Sequence, residues 1–237
     1  MDKYIQIVTG SRMYGLAGPN SDFDYTHIFH DSNDYLSPFP SLESSSESKK
    51  DGNDVKVYSL QFFLGLVIAG NPNAIELLPF AADSKYSTIS PPLDKDCLFL
   101  ADTIFRVEQY IYSHGLDSRL ISAYYGHLHG ILKEINTKGI TPKRLSHALR
   151  VMYSAHYAIE YNTIPVFANM GKELEISRSV KFAPEDEFKE MVPYYQKVIE
   201  EGLKYIEKTL DQTQKSANYK VKFKEYINHI FLTEYQS

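Results

Sequence analysis

The chain has 237 residues, 43% hydrophobic and 23% charged, with a formal net charge of −5. That balance predicts a sizeable buried core and excludes both global disorder and a generally basic surface for gripping nucleic acid, while leaving room for one basic cleft. The single Cys97 excludes an internal disulfide and a thiolate zinc site, and it fits reducing surroundings.

In chain order, "KYIQIVTG" reads as a first β-strand closed by glycine. "SRMYGLAG" reads as a short helix or turn, and "AGPNSD" as a turn cluster. "DFDYTHIFH" has the aromatic and β-branched content of a second strand. The polar run "DSNDYLSPFPSLESSSESKKDGND" predicts a long surface loop, and the alternating "VKVYSL" predicts a third strand. "SLQFFLGLVIAG" has helical spacing and ends at Gly70. Asn71 then caps a helix starting near Asn73, with Glu76 in its first turn, a structural role.

The second half carries helical stripes in "DKDCLFLADTIFRVEQYIYSHG", "DSRLISAYYGHLHGILKEINTKG" and "TPKRLSHALRVMYSAHYAIEYN". In the third, Thr141 is a natural N-cap and Pro142 suits the first helical position. "PEDEFKEMVPYYQKVIEEGLKYIEKTLDQ" opens on acids, as a helix start prefers, and Pro193 predicts a bend or a break. "NYKVKFKEYINHIFLTEY" predicts a last helix. The expected class is α+β, with a β-containing core over residues 1–92 and a helical region over 93–237. No stretch approaches the roughly 20 apolar residues of a membrane span, and "MDKYIQIVTGS" has no cleavage signal, so the expectation is a soluble, cytoplasmic protein.

The chemistry concentrates in "TGSRMYGLAGPNSDFDYTHIFH". Residues i and i+2 of a strand share a face, so Asp22 and Asp24 are expected to project side by side. Two adjacent carboxylates repel unless a cation sits between them, and a hard, oxygen-seeking Mg²⁺ fits. A pair of such ions can activate an attacking oxygen and steady a leaving pyrophosphate. Gly10 lets the backbone approach a ligand, a helix from Ser11 aims N–H groups at phosphate, and Arg12 adds charge. A third carboxylate, Asp54 at the head of "DVKVYSL", suits metal binding or proton acceptance, with Asp51 as its rival; Asp31 and Asp34 sit less well placed in the loop. Asp-x-Asp beside a turn is commonly plain solvated surface; here the order of strand, Gly-Ser, Ser-Asp-x-Asp and a later acidic strand favours phosphoryl chemistry.

"GSRMYGLAGPNSDFD" resembles the Gly-Ser … Asp-x-Asp signature of the DNA polymerase beta nucleotidyltransferase superfamily. Within it, "YSLQFFLGLVIAGNPNAIELL" and "KRLSHALRVMYSAHYAIEYNTIPV" resemble blocks of the RlaP-type nucleotidyltransferases, associated with RNA repair in phages and bacteria; the likeness weakens beyond about Val166. The resemblance implies a small mixed sheet flanked by helices, magnesium, and a nucleoside triphosphate donor. It implies that Gly10 and Ser11 hold the triphosphate and that Asp22 and Asp24 bind two Mg²⁺ ions, with Asp54 in the third acidic position. Where related sequences often carry an arginine after Asp-x-Asp, this chain has "YTHIF". The implied acceptor is a hydroxyl at an RNA (tRNA) end. A protein side chain, as in AMP-transferring toxin–antitoxin enzymes, a small-molecule acceptor, and a nucleotide-binding module without turnover are the alternatives.

Lys143, His147 and Arg150 fall at i, i+4 and i+7, one helix face that is either a basic comb for triphosphate or acceptor or a solvated surface. His127 and His129, two apart on a helix, face different directions and make a poor metal pair. Arg150 and His156 match the loose spacing of HEPN ribonucleases, but six helical steps turn them about 240° apart.

Overall fold

The computed structural model describes residues 3–30, 45–50, 53–81, 83, 85–92, 94–116, 118–212 and 217–234. The first part contains β1 (Tyr4–Thr9), α1 (Gly10–Met13), β2 (Asp24–Phe29), β3 (Ser45–Lys50), β4 (Asn53–Ser59), α2 (Leu60–Ile68), α3 (Pro72–Ile75), α4 (Leu78–Ala81) and β5 (Ser87–Ser90). Helices follow: α5 (Lys95–His114), α6 (Ser118–Lys138), α7 (Pro142–Tyr161), α8 (Gly171–Phe182), α9 (Glu185–Gln212) and α10 (Ala217–Glu234). The strands form one mixed sheet in the order β3-β4-β2-β1-β5. β1 lies antiparallel to β2, whereas β2 and β4 are parallel. The class is α+β, as expected.

Local sequence explains the elements that frame the site. Ile5 and Ile7 of β1 alternate into the core and meet Ile28 and Thr26 of β2 across the ladder. Ser59 ends β4 and caps α2, its hydroxyl accepting the Phe62 N–H at 3.2 Å. Leu60, Phe63, Leu64 and Val67 then bury the inner face of α2. The Thr141 hydroxyl accepts the Arg144 N–H at 3.3 Å, Pro142 opens α7, and Asn162 closes it in the left-handed region at φ 50.

Packing divides the chain into two compact units: Met1–Met13 with Ala17–His114 and Ser216–Ser237, and Tyr14–Leu16 with Gly115–Lys215. In the first unit α5 packs on β1 and α4, and α10 on α2. Tyr110 of α5 stacks with Phe223 and Tyr226 of α10, at ring separations of 5.0 and 4.5 Å. In the second unit α7 is the hub, against α6, α8 and α9. Its Leu145, Leu149 and Val151 are fully buried.

Three features differ from expectation. β3 lies inside the run read as one loop; its sequence SSESKK has no apolar alternation because, among the described strands, it lies at the sheet edge, with Ser46–Lys49 exposed. β5 is only four residues long and joins the opposite edge, beside β1. Pro193 does not split α9, which runs on through it. The buried Phe188, Ile199 and Ile206 anchor the helix on both sides of the proline, and that packing outweighs the lost donor. Asp31, Asp34 and Asp51 lie outside the described residues.

Candidate active site

The register brings the glycine turn and one aspartate together. Thr9, the last residue of β1, pairs with Asp24, the first of β2. Gly10 follows at φ 63, a conformation that side chains rarely adopt. A Cβ at Gly10 would lie 2.7 Å from Asp24 Cγ and 3.0 Å from its Cβ, and closer still to Oδ2. Glycine is thus required twice, by the backbone and by the carboxylate lying against it. Ser11 and Arg12 continue as the single turn of α1.

Asp22 does not share the strand with Asp24, contrary to the expectation of two neighbours on one face. β2 starts at Asp24, and residues 21–23 form a loop. The backbone groups a ladder would use are committed elsewhere. Arg12 Nη2 donates to the Ser21 carbonyl at 2.5 Å, and Nε donates to the Asp22 carbonyl at 3.2 Å. The Asn53 side-chain oxygen accepts the Phe23 N–H at 3.2 Å. Ser21 closes the preceding turn, its hydroxyl accepting the Gly18 N–H at 2.9 Å. Arg12 also lies 3.6 Å over the Phe23 ring. It therefore shapes the loop carrying Asp22.

Asp54 sits on β4 one step before Val55, which is level with Tyr25 of the parallel β2. Asp24 and Asp54 each stand one residue before the paired Tyr25 and Val55, near the starts of adjacent strands and on the same side of the sheet. Asp54 is exposed, with Lys49 Nζ of β3 3.6 Å from its Oδ1. Lys56 pairs with Glu47 at 3.1 Å. Partial burial lowers the Lys56 pKa, but the Glu47 hydrogen bond and the charges of Tyr58, Glu47 and Asp24 offset this and leave it raised. Glu47, Ser48, Lys49, Asp54, Val55 and Lys56 line a cleft on this edge.

Oxygen is the only donor the candidate acidic residues offer, which suits magnesium and not a nitrogen- or sulfur-seeking metal. Among the described residues, no three His, Cys, Asp or Glu side chains gather into a metal cluster. The strand heads bring Asp24 and Asp54 level, and the Arg12-held loop carries Asp22.

The basic comb lies on α7 in the second unit. Arg150 is only 3% exposed, its guanidinium 3.8 Å over the Tyr14 ring. Its Nη2 lies 3.3 Å from His147 Nε2, and because arginine only donates, that nitrogen accepts and the imidazole is neutral. Burial, reinforced by the positive charge of Arg150 and by His127 and Lys143, pushes the His147 pKa down to about 3. Lys143 is exposed. The comb thus contains one buried cation, one neutral ring and one surface lysine. His127 meets His147 edge-on at 5.3 Å while His129 faces Tyr125, the divergence expected of the pair. His156 points to the Gly202 carbonyl, 3.2 Å away on α9, not toward Arg150.

Three residues about the loop region carry no motif in the sequence: Asn53, Arg178 and Lys181. Arg178 Nη1 donates to the Gly15 carbonyl at 2.7 Å and Lys181 Nζ to the Leu16 carbonyl at 2.6 Å. Only the 178–181 spacing within a helix hints that both share a face.

A family model described as RlaP, the RNA repair pathway DNA polymerase beta family, matches residues 5–231. The chain belongs to that family. The RlaP match extends well past Val166, so α8, α9 and most of α10 belong to the family pattern, beyond the point where the motif resemblance weakens. No curated protein matches the chain. Membership makes this a nucleotidyltransferase-type chain of RNA repair. No helix among the described residues is long and apolar enough to cross a membrane.

Proposed function

We propose that the protein is a Mg²⁺-dependent nucleotidyltransferase that moves a nucleoside monophosphate from a nucleoside triphosphate to a hydroxyl acceptor, releasing pyrophosphate, with an RNA end as acceptor. One observation carries the reading: the Asp24 carboxylate lies against the left-handed Gly10, so the glycine turn and the start of the acidic strand meet in one place. Family membership supplies the reaction class and the RNA setting.

Each residue then has a task. Gly10 keeps space for the Asp24 carboxylate, and the Gly10–Ser11 backbone with the Ser11 hydroxyl holds the β- and γ-phosphates. Asp22 and Asp24 hold the magnesium, and Asp54 completes the set and accepts the proton of the attacking hydroxyl. Two bound Mg²⁺ ions supply charge neutralisation at the attacking and leaving oxygens. Arg12 sets the path of the Asp22 loop through the Ser21 and Asp22 carbonyls. On the α7 face Lys143 is exposed, whereas His147 is neutral and Arg150 is covered by Tyr14.

The test is incubation with Mg²⁺ and each labelled nucleoside triphosphate, with and without cellular RNA. Label on RNA with pyrophosphate release supports the proposal. Label on protein moves the assignment to AMP transfer onto a protein, and binding without pyrophosphate release leaves a nucleotide-binding module.

A further inference from the structure

Asp22 and Asp24 are held by different means. Asp24 opens β2 and is fixed by its rung with Thr9 of β1. Asp22 precedes the strand, so no ladder fixes its backbone. Side chains do so instead, and they converge on the two peptide groups that flank its Cα. The carbonyl of the Ser21–Asp22 peptide accepts from Arg12 Nη2 at 2.5 Å. The Asp22–Phe23 peptide is gripped at both ends: its carbonyl accepts from Arg12 Nε and its N–H donates to Asn53 Oδ1, each at 3.2 Å. A peptide group is planar, so holding both its oxygen and its hydrogen stops it turning about the line between its Cα atoms. With both flanking peptides held, the direction in which the Asp22 side chain leaves the backbone is set as well. The Phe23 ring adds a further grip, lying 3.6 Å under the Arg12 guanidinium and stacked on Tyr25 of β2 at 6.0 Å. Asn53 is placed for its part by the β3–β4 pairing, where it stands opposite Lys50. Its neighbour in the chain is Asp54.

We infer that Asn53 is a positioning residue for metal binding. Through the Asp22–Phe23 peptide it fixes the direction of the Asp22 side chain relative to Asp24, and it ties that loop to the strand carrying Asp54. The inference rests on the reading of Asp22 and Asp24 as magnesium ligands. Arg12 holds only the carbonyl side of the Asp22–Phe23 peptide. Without the Asn53 oxygen the N–H side gains conformations that metal binding must then remove. That oxygen is directed at the Phe23 N–H, so its influence on a cation runs through the backbone.

The test uses the full chain and Mn²⁺, an oxygen-seeking stand-in for Mg²⁺ whose binding is read directly by electron paramagnetic resonance. Asn53→Leu removes the acceptor at similar size, and Asn53→Asp keeps an acceptor oxygen at the same reach. Thermal melting, hydrogen exchange of the peptide spanning residues 21–25 and Mn²⁺ affinity are measured for both and for Asp22→Asn. Asn53→Leu is expected to stay folded, to exchange faster, and to bind Mn²⁺ roughly threefold to tenfold more weakly. Asn53→Asp is expected to regain the protection and to bind Mn²⁺ at least as tightly as the wild type. Faster exchange in Asn53→Leu with wild-type affinity overturns the inference, because the bond is then structural only. Weaker affinity with unchanged exchange also overturns it, because Asn53 then touches the ion directly. An Asn53→Asp chain that regains only one of the two properties overturns it too, since protection and affinity are then not linked. An Asn53→Leu chain that fails to fold is replaced by Asn53→Ala under the same criteria. A wild-type chain that binds no Mn²⁺, or an Asp22→Asn chain that binds it like the wild type, removes the metal reading and this inference with it. Wild-type binding that Asp22→Asn weakens and Asn53→Leu does not leaves that reading intact and overturns this inference alone.

Discussion

Replacing Gly10 with alanine tests the contact at the centre of the site. The new side chain must adopt φ 63, a left-handed conformation costing about 1–2 kcal/mol for an L-residue. Its Cβ would also stand 2.7 Å from Asp24 Cγ and closer still to Oδ2, so the carboxylate must retreat by more than about 0.7 Å, the shortfall of Cγ from ordinary contact at 3.4 Å. A misplacement of about 1 Å at reacting groups lowers turnover on the order of 100-fold. We expect Gly10→Ala to lose about 1–2 kcal/mol in denaturant unfolding and to slow Mg²⁺-dependent pyrophosphate release on the order of tenfold to 100-fold. Both are measured on one preparation. Turnover within twofold of wild type, with stability reduced as stated, would refute the argument that the Asp24 position at Gly10 matters to chemistry.

Three further outcomes follow from the same geometry. His147, with its pKa near 3 in the fold against 6.5 in the unfolded chain, takes up its proton on unfolding; its stabilising contribution is complete above pH 6.5 and falls toward pH 3, about 2 kcal/mol being lost between pH 7 and pH 5. His147→Gln should flatten the stability profile over that window, and an unchanged slope in urea titrations would contradict it. Asp22→Asn and Asp24→Asn should each reduce turnover at least on the order of 100-fold with little change in melting temperature; Asp54→Asn should do the same if it is the third acid, and full activity there with loss in Asp51→Asn would transfer the role. Gly202→Ala would place a Cβ 2.7 Å from Met152 Cγ and 3.2 Å from His156 Nε2, so it should destabilise the second unit by about 1–3 kcal/mol through overpacking; calorimetry reads this, and nucleotide affinity should stay unchanged.

The sequence was most informative where one short segment carries its own signal. Gly10, the alternating isoleucines of β1, the Ser59 and Thr141 caps and the Pro142 start are local grammar, and each element they predict is present. β3 was illegible because Ser46–Lys49, exposed on both faces, offer no hydrophobic period to read. The start of β2 at Asp24 depends on Arg12 and Asn53, side chains distant in sequence whose hydrogen bonds take the backbone of residues 21–23 out of the ladder. Arg150 looked like a reaching cation by spacing alone; that Tyr14 covers it is a tertiary fact with no trace in the helix pattern. The α5 and α10 helices read correctly as helices, but their packing with the sheet elements could not be seen from their own amphipathic stripes.

The polar character of β3 also governs what the sheet can join. Among the described strands it lies at one end, where an edge strand's backbone donors and acceptors could pair with a strand from another molecule. Glu47 and Lys49 stand exposed along that edge, and a strand arriving there would have to bury or displace both charges. At the far edge β5 offers only four residues, too short a template for stable pairing. Among the described strands, the sheet is therefore guarded at both ends against growing from molecule to molecule.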